Sequence, residues 1–147
     1  MKHDFLLPLQ GSLMRTGLGA VVAIGLAGAA IGQEADAAPV EGGLVTAEQA
    51  ARGDALYEQR CATCHGADIV DSFASYPNAA LFFGYVSTAM PADAPGSMPP
   101  QQYADIIAYL MTEIGQPVGT EEVAADQAAL AEISPAAIKA ANAEGDQ

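Results

Sequence analysis

Apolar positions recur with a full helical period in one segment of this 147-residue chain. In "QQYADIIAYLMTEIG" (101–115), Tyr103, Ile106, Ile107, Leu110 and Ile114 fall at i, i+3, i+4, i+7 and i+11. That spacing predicts a helix with one buried stripe, and Gly115 supplies its stop. Pro99 and Pro100 suit its entry and Pro117 its exit. A second helix is predicted over "AEQAARGDALYEQRC" (47–61), where good helix formers follow Thr46 and Gln49 at capping-box spacing. Its pattern is weaker, because Ala51, Ala55, Leu56 and Gln59 mix faces. Gly53 costs it up to about 1 kcal/mol relative to Ala, unless close packing against another helix requires a glycine there.

Between these helices the pattern predicts less. "ADIVDSFASYPN" (67–78) reads as a loop with turn chemistry at Pro77-Asn78. "AALFFGYVSTAM" (79–90) reads as a short helix with an apolar side through Leu81, Phe82, Tyr85 and Val86. "PADAPGSMPP" has four prolines and a glycine in ten residues, which excludes regular structure. Residues 33–44 show no periodicity and read as a flexible lead. In the Ala-rich acidic segment 116–147, Val123, Leu130 and Ile133 suit a short docked helix and Ser134-Pro135 another start. The final segment has little to bury and is expected to be mobile.

The N-terminus resembles an export signal. Lys2, His3 and Arg15 form a positive lead-in to an apolar, small-residue run of 16 residues, Gly17–Gly32. That run falls short of the roughly 20 residues that span a bilayer, so cleavage is expected over anchoring. Small residues before Gln33 mark one cleavage site and "ADA" at 35–37 a second. Removing 1–32 leaves 17 acidic against 3 basic residues, a net charge of −14, on a periplasmic product. That balance excludes nucleic acid, whose phosphates need basic contacts.

Both cysteines lie in "EQRCATCHGAD" (58–68). Structural zinc needs four ligands, and beyond the leader the chain offers only Cys61, Cys64 and His65 as Cys or His. A thioredoxin-like dithiol wants a strand before the motif and a helix opening at it, whereas here a helix runs into it. A Cys61–Cys64 disulfide is chemically open to an exported protein, but it closes a tiny loop and leaves the histidine unexplained. C-x-x-C-H is the attachment pattern of c-type haem. Two cysteines three apart near a helix end reach both vinyl groups, and His65 then sits beneath the iron. For the opposite axial position the candidates are Met90, Met98 and Met111, with Lys139 far into the tail and His3 in the leader. Met111 falls within a helix, where methionine is commonly core filler. Met90 is favoured over Met98, because Pro91 biases it to an extended backbone that fixes the thioether's direction.

Over residues 45–115 the chain resembles a class I c-type cytochrome. Three ordered elements carry the resemblance: "GDALYEQRCATCHG", Met90-Pro91, and "YADIIAYL" with its Tyr109-Leu110 pair. It implies an all-α fold, with N- and C-terminal helices crossing around one covalent haem c. Gly53 and Tyr57 would meet the last helix near Tyr109, and the macrocycle would staple a thin core. The wording "TAMPADAPGSM…QYADIIAYL" is similar to small cytochromes that accept electrons from periplasmic quinoprotein alcohol dehydrogenases, in which the Met of the Met-Pro pair is the ligand. The chain departs from the family in placing His65 and Met90 only 25 positions apart and in lacking the Gly-Pro-containing loop after the motif. Residues 67–78 must cover one haem edge with little material, which implies an unusually exposed haem, or Met90 ligation that is weak or absent.

The resemblance implies a periplasmic one-electron carrier and not an enzyme. Cys61 and Cys64 would anchor the haem, with His65 and Met90 as axial ligands. Its partners would be a dehydrogenase donor and an oxidase or cytochrome acceptor, at least one with a basic docking rim. The domains expected are 1–32 signal, 33–44 lead, 45–115 cytochrome domain and 116–147 extension. The alternatives are a haem sensor or peroxidase-like protein with an open distal position, and a haem-free thiol-redox protein.

Overall fold

A computed structural model describes residues 43–145. The expected leader and both cleavage sites lie outside the described residues. Among those residues there are six helices and no β-strand: α1 Ala47–Arg60, α2 Asp68–Ala74, α3 Ala79–Ala89, α4 Pro100–Glu113, α5 Gln127–Ala131 and α6 Pro135–Gly145. The all-α expectation holds.

Among the described residues α4 packs against α1, α2 and α3. Its stripe residues Tyr103, Ile106, Ile107, Leu110 and Ile114 are all buried, as is Met111, the predicted core filler. Pro100 opens the helix, and Gly115 follows it at φ +94°, in the left-handed region that ends helices. Helix α1 packs along α4. Its buried stripe is Gln49, Gly53 and Tyr57, one residue per turn, with almost no aliphatic side chain. That composition explains the weak amphipathic signal. A Cβ on Gly53 would run into the backbone carbonyl of Asp105 and lie 2.9 Å from Tyr109 Cβ. The glycine is therefore required by the crossing, and the Tyr57 and Tyr109 rings stack beside it at 5.5 Å.

Gln49 corrects the capping-box expectation. Thr46 accepts from the Gln49 backbone N–H at 3.1 Å, but the Gln49 side chain does not return to the cap. It is fully buried and ties down the chain 74 residues later. Its Oε1 accepts from Val123 N–H at 2.7 Å, and its Nε2 donates to Val123 O at 2.8 Å and to Asp105 at 3.1 Å. Arg52 reinforces this strut from outside, bonding Asp105 and Glu122. Those hydrogen bonds raise the pKa of its guanidinium further, Asp105 contributing most.

Three other expectations are corrected. Residues 68–74 form α2, because Phe73 and Ala74 can be buried only if this short stretch coils. On α3 the inward face is Ala79, Phe82 and Phe83, whereas Leu81 and Tyr85, one turn apart, are 55% and 52% exposed. The C-terminal segment has more to bury than its composition suggests. Val123, Leu130 and Ile133 are buried as expected, and Pro135 is buried with them. Helix α5 packs on α3, while α6 bonds Asp71 of α2 through Lys139 and the carbonyl of Ile114, the C-cap of α4, through Asn142. The end of the lead is also held, since Glu121 N–H donates to Gly43 O at 3.1 Å.

Candidate functional site

The end of α1 turns sharply at the cysteine motif. Cys64 and His65 both donate their N–H to Cys61 O, at 3.0 and 2.9 Å. The Tyr57 hydroxyl reaches forward from the last turns of α1 and donates to His65 O at 2.8 Å and Gly66 O at 3.0 Å. The phenol is pushed up to about 12, chiefly by burial and then by the nearby Cys61. It stays a neutral donor over the whole physiological range. Tyr57 thus fixes the turn that presents the histidine, a role beyond the helix contact expected of it.

Cys61, Cys64, His65, Met90 and Met98 all line one cleft of about 360 Å³. Its walls are Ile69 and Phe82, Val86 and Pro91, and Ile106 and Leu110 of α4. The 25-position spacing is therefore no obstacle to bringing His65 and Met90 to one cleft, because α2 and α3 fold back compactly between them. Met90 is the C-cap of α3 and has the extended backbone that Pro91 imposes, φ −122° and ψ 155°. Met98 is 8% exposed against Tyr103, while Met111 and Lys139 are not among the lining residues. A second cleft of about 340 Å³ adjoins the first, sharing His65, Ile69, Phe82, Val86 and Met90 and adding Asp68, Tyr76 and Tyr85.

The donor chemistry narrows the four readings of the motif. Among the described residues no three His, Cys, Asp or Glu side chains gather to hold a metal ion directly. The two cysteines are free thiols, not a disulfide. Burial pushes the Cys61 thiol up, with Arg60 only partly opposing it, and the motif lies at the negative end of α1. An oxidoreductase dithiol needs the reverse, a thiolate stabilised at a helix N-terminus. Two free thiols, an imidazole and two thioethers on an apolar cleft fit a flat apolar macrocycle carrying iron.

Tyr103 is the residue whose role here sequence reasoning missed. It was legible only as a member of the α4 stripe. Its hydroxyl donates to Met90 O at 2.8 Å and accepts from Met98 N–H at 3.4 Å.

Residues 48–110 match the family model described as "Cytochrome C oxidase, cbb3-type, subunit III". That span covers α2, α3, most of α1 and α4, and every residue of the cleft named above, and the match supports a c-type cytochrome domain there. Its cofactor is covalently bound haem c with its iron. No curated protein and no solved structure matches the chain. Among the described residues no helix is long and apolar enough to cross a membrane.

Proposed function

We propose that this chain is a periplasmic one-electron carrier in which Cys61 and Cys64 anchor the haem and His65 and Met90 are its axial ligands. Haem c supplies the Fe(II)/Fe(III) couple. The observation that carries the reading is the convergence of both thiols, the imidazole and the Met90 thioether on one apolar cleft. The apolar walls exclude water from the iron, and Tyr57 orients the His65 backbone through its carbonyl. A thioether opposite imidazole suits a low-spin carrier and raises the reduction potential relative to paired histidines. With both axial positions filled, no coordination site is left for a substrate.

Partners follow from charge. Of the three cations among the described residues, Arg52 and Lys139 are paired with carboxylates and Arg60 lines the cleft beside Asp93, while the chain as a whole carries a net charge of −13. At least one partner presents a basic rim, and docking is transient and weakens with salt. The donor is a dehydrogenase, supported by the likeness of residues 88–110 to carriers that serve quinoprotein alcohol dehydrogenases. Electrons pass onward toward a terminal oxidase.

Export with a haem-maturation system tests the attachment. Intact mass of the purified chain is expected to equal the polypeptide plus one haem, stable to acid extraction, with a reversible one-electron titration. A colourless chain, or haem removed by acid, contradicts it.

A further inference from the structure

The loop that follows α3 carries the Met90 thioether, so what holds this loop decides whether the iron stays closed. Met90 N–H is tied back to Val86 O at 3.0 Å as the cap of α3, and Met90 O accepts from Gly96 N–H at 3.1 Å. The return is possible because Gly96 takes φ +68°, where a side chain is strained and a Cβ would lie 3.3 Å from Ser87 O. One group from outside closes the ring. The Tyr103 hydroxyl, on a side chain 2% exposed, donates to Met90 O at 2.8 Å and accepts from Met98 N–H at 3.4 Å.

We propose that Tyr103 is a positioning residue that latches the Met90–Met98 loop and so sets how readily the distal position of the iron opens. The inference rests on the reading of Met90 as the axial ligand. Its physical basis is that the phenol has no other partner among the described residues. When the loop swings out, a buried hydroxyl loses its acceptor, and the cost exceeds that of a solvent-exposed bond. The ring itself is held independently, edge-on to Phe83 at 6.4 Å. Replacing Tyr103 with Phe therefore removes the latch and keeps the packing.

The test uses the haem-loaded full chain and two readouts at zero denaturant. One is the pH at which the ferric sulfur-to-iron charge-transfer band is lost. The other is the rate of carbon monoxide binding to the ferrous form, with unfolding in urea measured alongside. Tyr103→Phe is expected to lose the band about one pH unit lower and to bind carbon monoxide about tenfold faster, as follows from losing one buried hydrogen bond. A merely structural tyrosine would lower the urea midpoint and leave both readouts where they were, and that result overturns the latch. Met90→Ala separates the two claims. If it abolishes the band while Tyr103→Phe changes nothing, the latch is wrong and the ligand reading stands. If the wild-type protein has no such band and binds carbon monoxide freely, the ligand reading fails, and the latch with it.

Discussion

The two walls of the cleft are built by different means. The histidine wall is continuous with α1, and its position follows from one helix crossing, where Gly53 lets α1 touch the α4 backbone and Tyr57 reaches the motif. The methionine wall is α3 and an irregular proline-rich loop, braced from behind by residues far along the chain. Ala79 N–H donates to Ile133 O at 2.8 Å, α5 packs on α3, and Tyr103 closes the loop. The first wall is set by close backbone contact. The second depends on α5 and Ile133, in a C-terminal segment outside the matched span 48–110 that also ties to α1 through Val123 and Glu122.

The difference can be broken from either side. Gly53→Val is expected to have the largest effect, because the contact at that position is backbone and cannot give. We expect a loss of about 3 kcal/mol in urea unfolding of the haem-loaded protein, at the upper end for overpacking. Near-wild-type stability would mean that the crossing is looser than the geometry requires. On the other wall, Leu130 is fully buried at the heart of the bracing segment. Leu130→Ala should cost about 2–3 kcal/mol, at the lower end for buried leucines since α5 is only five residues long. A change under about 0.5 kcal/mol, typical of surface sites, would show that the segment adds nothing to the methionine wall.

The smallest effect concerns pH and the histidine wall. The Tyr57 phenol is raised from its ordinary value of 10.0 to about 12 in the folded chain, mostly by burial. The unfolded chain releases this proton first, so the contribution is fully present below pH about 10 and is lost as pH rises toward about 12. Tyr57→Phe should flatten the fall in stability across that window in alkaline unfolding curves, and an unaltered slope would count against a buried neutral donor there.

Legibility in the sequence followed the same division. The extents of α1 and α4 were readable to within about two residues, because period and capping are local properties, whereas the meeting of Gly53 and Tyr57 with Tyr109 was implied only by the resemblance to class I cytochromes. The extended backbone of Met90 was readable because Pro91 acts on its immediate neighbour. The short α2 was not, since seven residues give too few turns for a period to show and its coiling is imposed by where Phe73 must go. The exposure of Leu81 and Tyr85 was misread because apolar residues run all round α3, and the choice of inward face is made by partners elsewhere. Nothing near Gln49 announces Val123, nor anything near Met90 the Tyr103 hydroxyl. Both are bonds between side chain and distant backbone, which leave no periodic trace.

The central claim is that the iron is closed on both sides by His65 and Met90. Visible and near-infrared spectra of the ferric and ferrous haem-loaded protein at neutral pH test it most directly. The account predicts a low-spin spectrum with a sulfur-to-iron charge-transfer band that Met90→Ala abolishes and Met98→Ala retains. A high-spin ferrous form that binds carbon monoxide in the unmodified protein would contradict it and make the chain a haem protein with an open site.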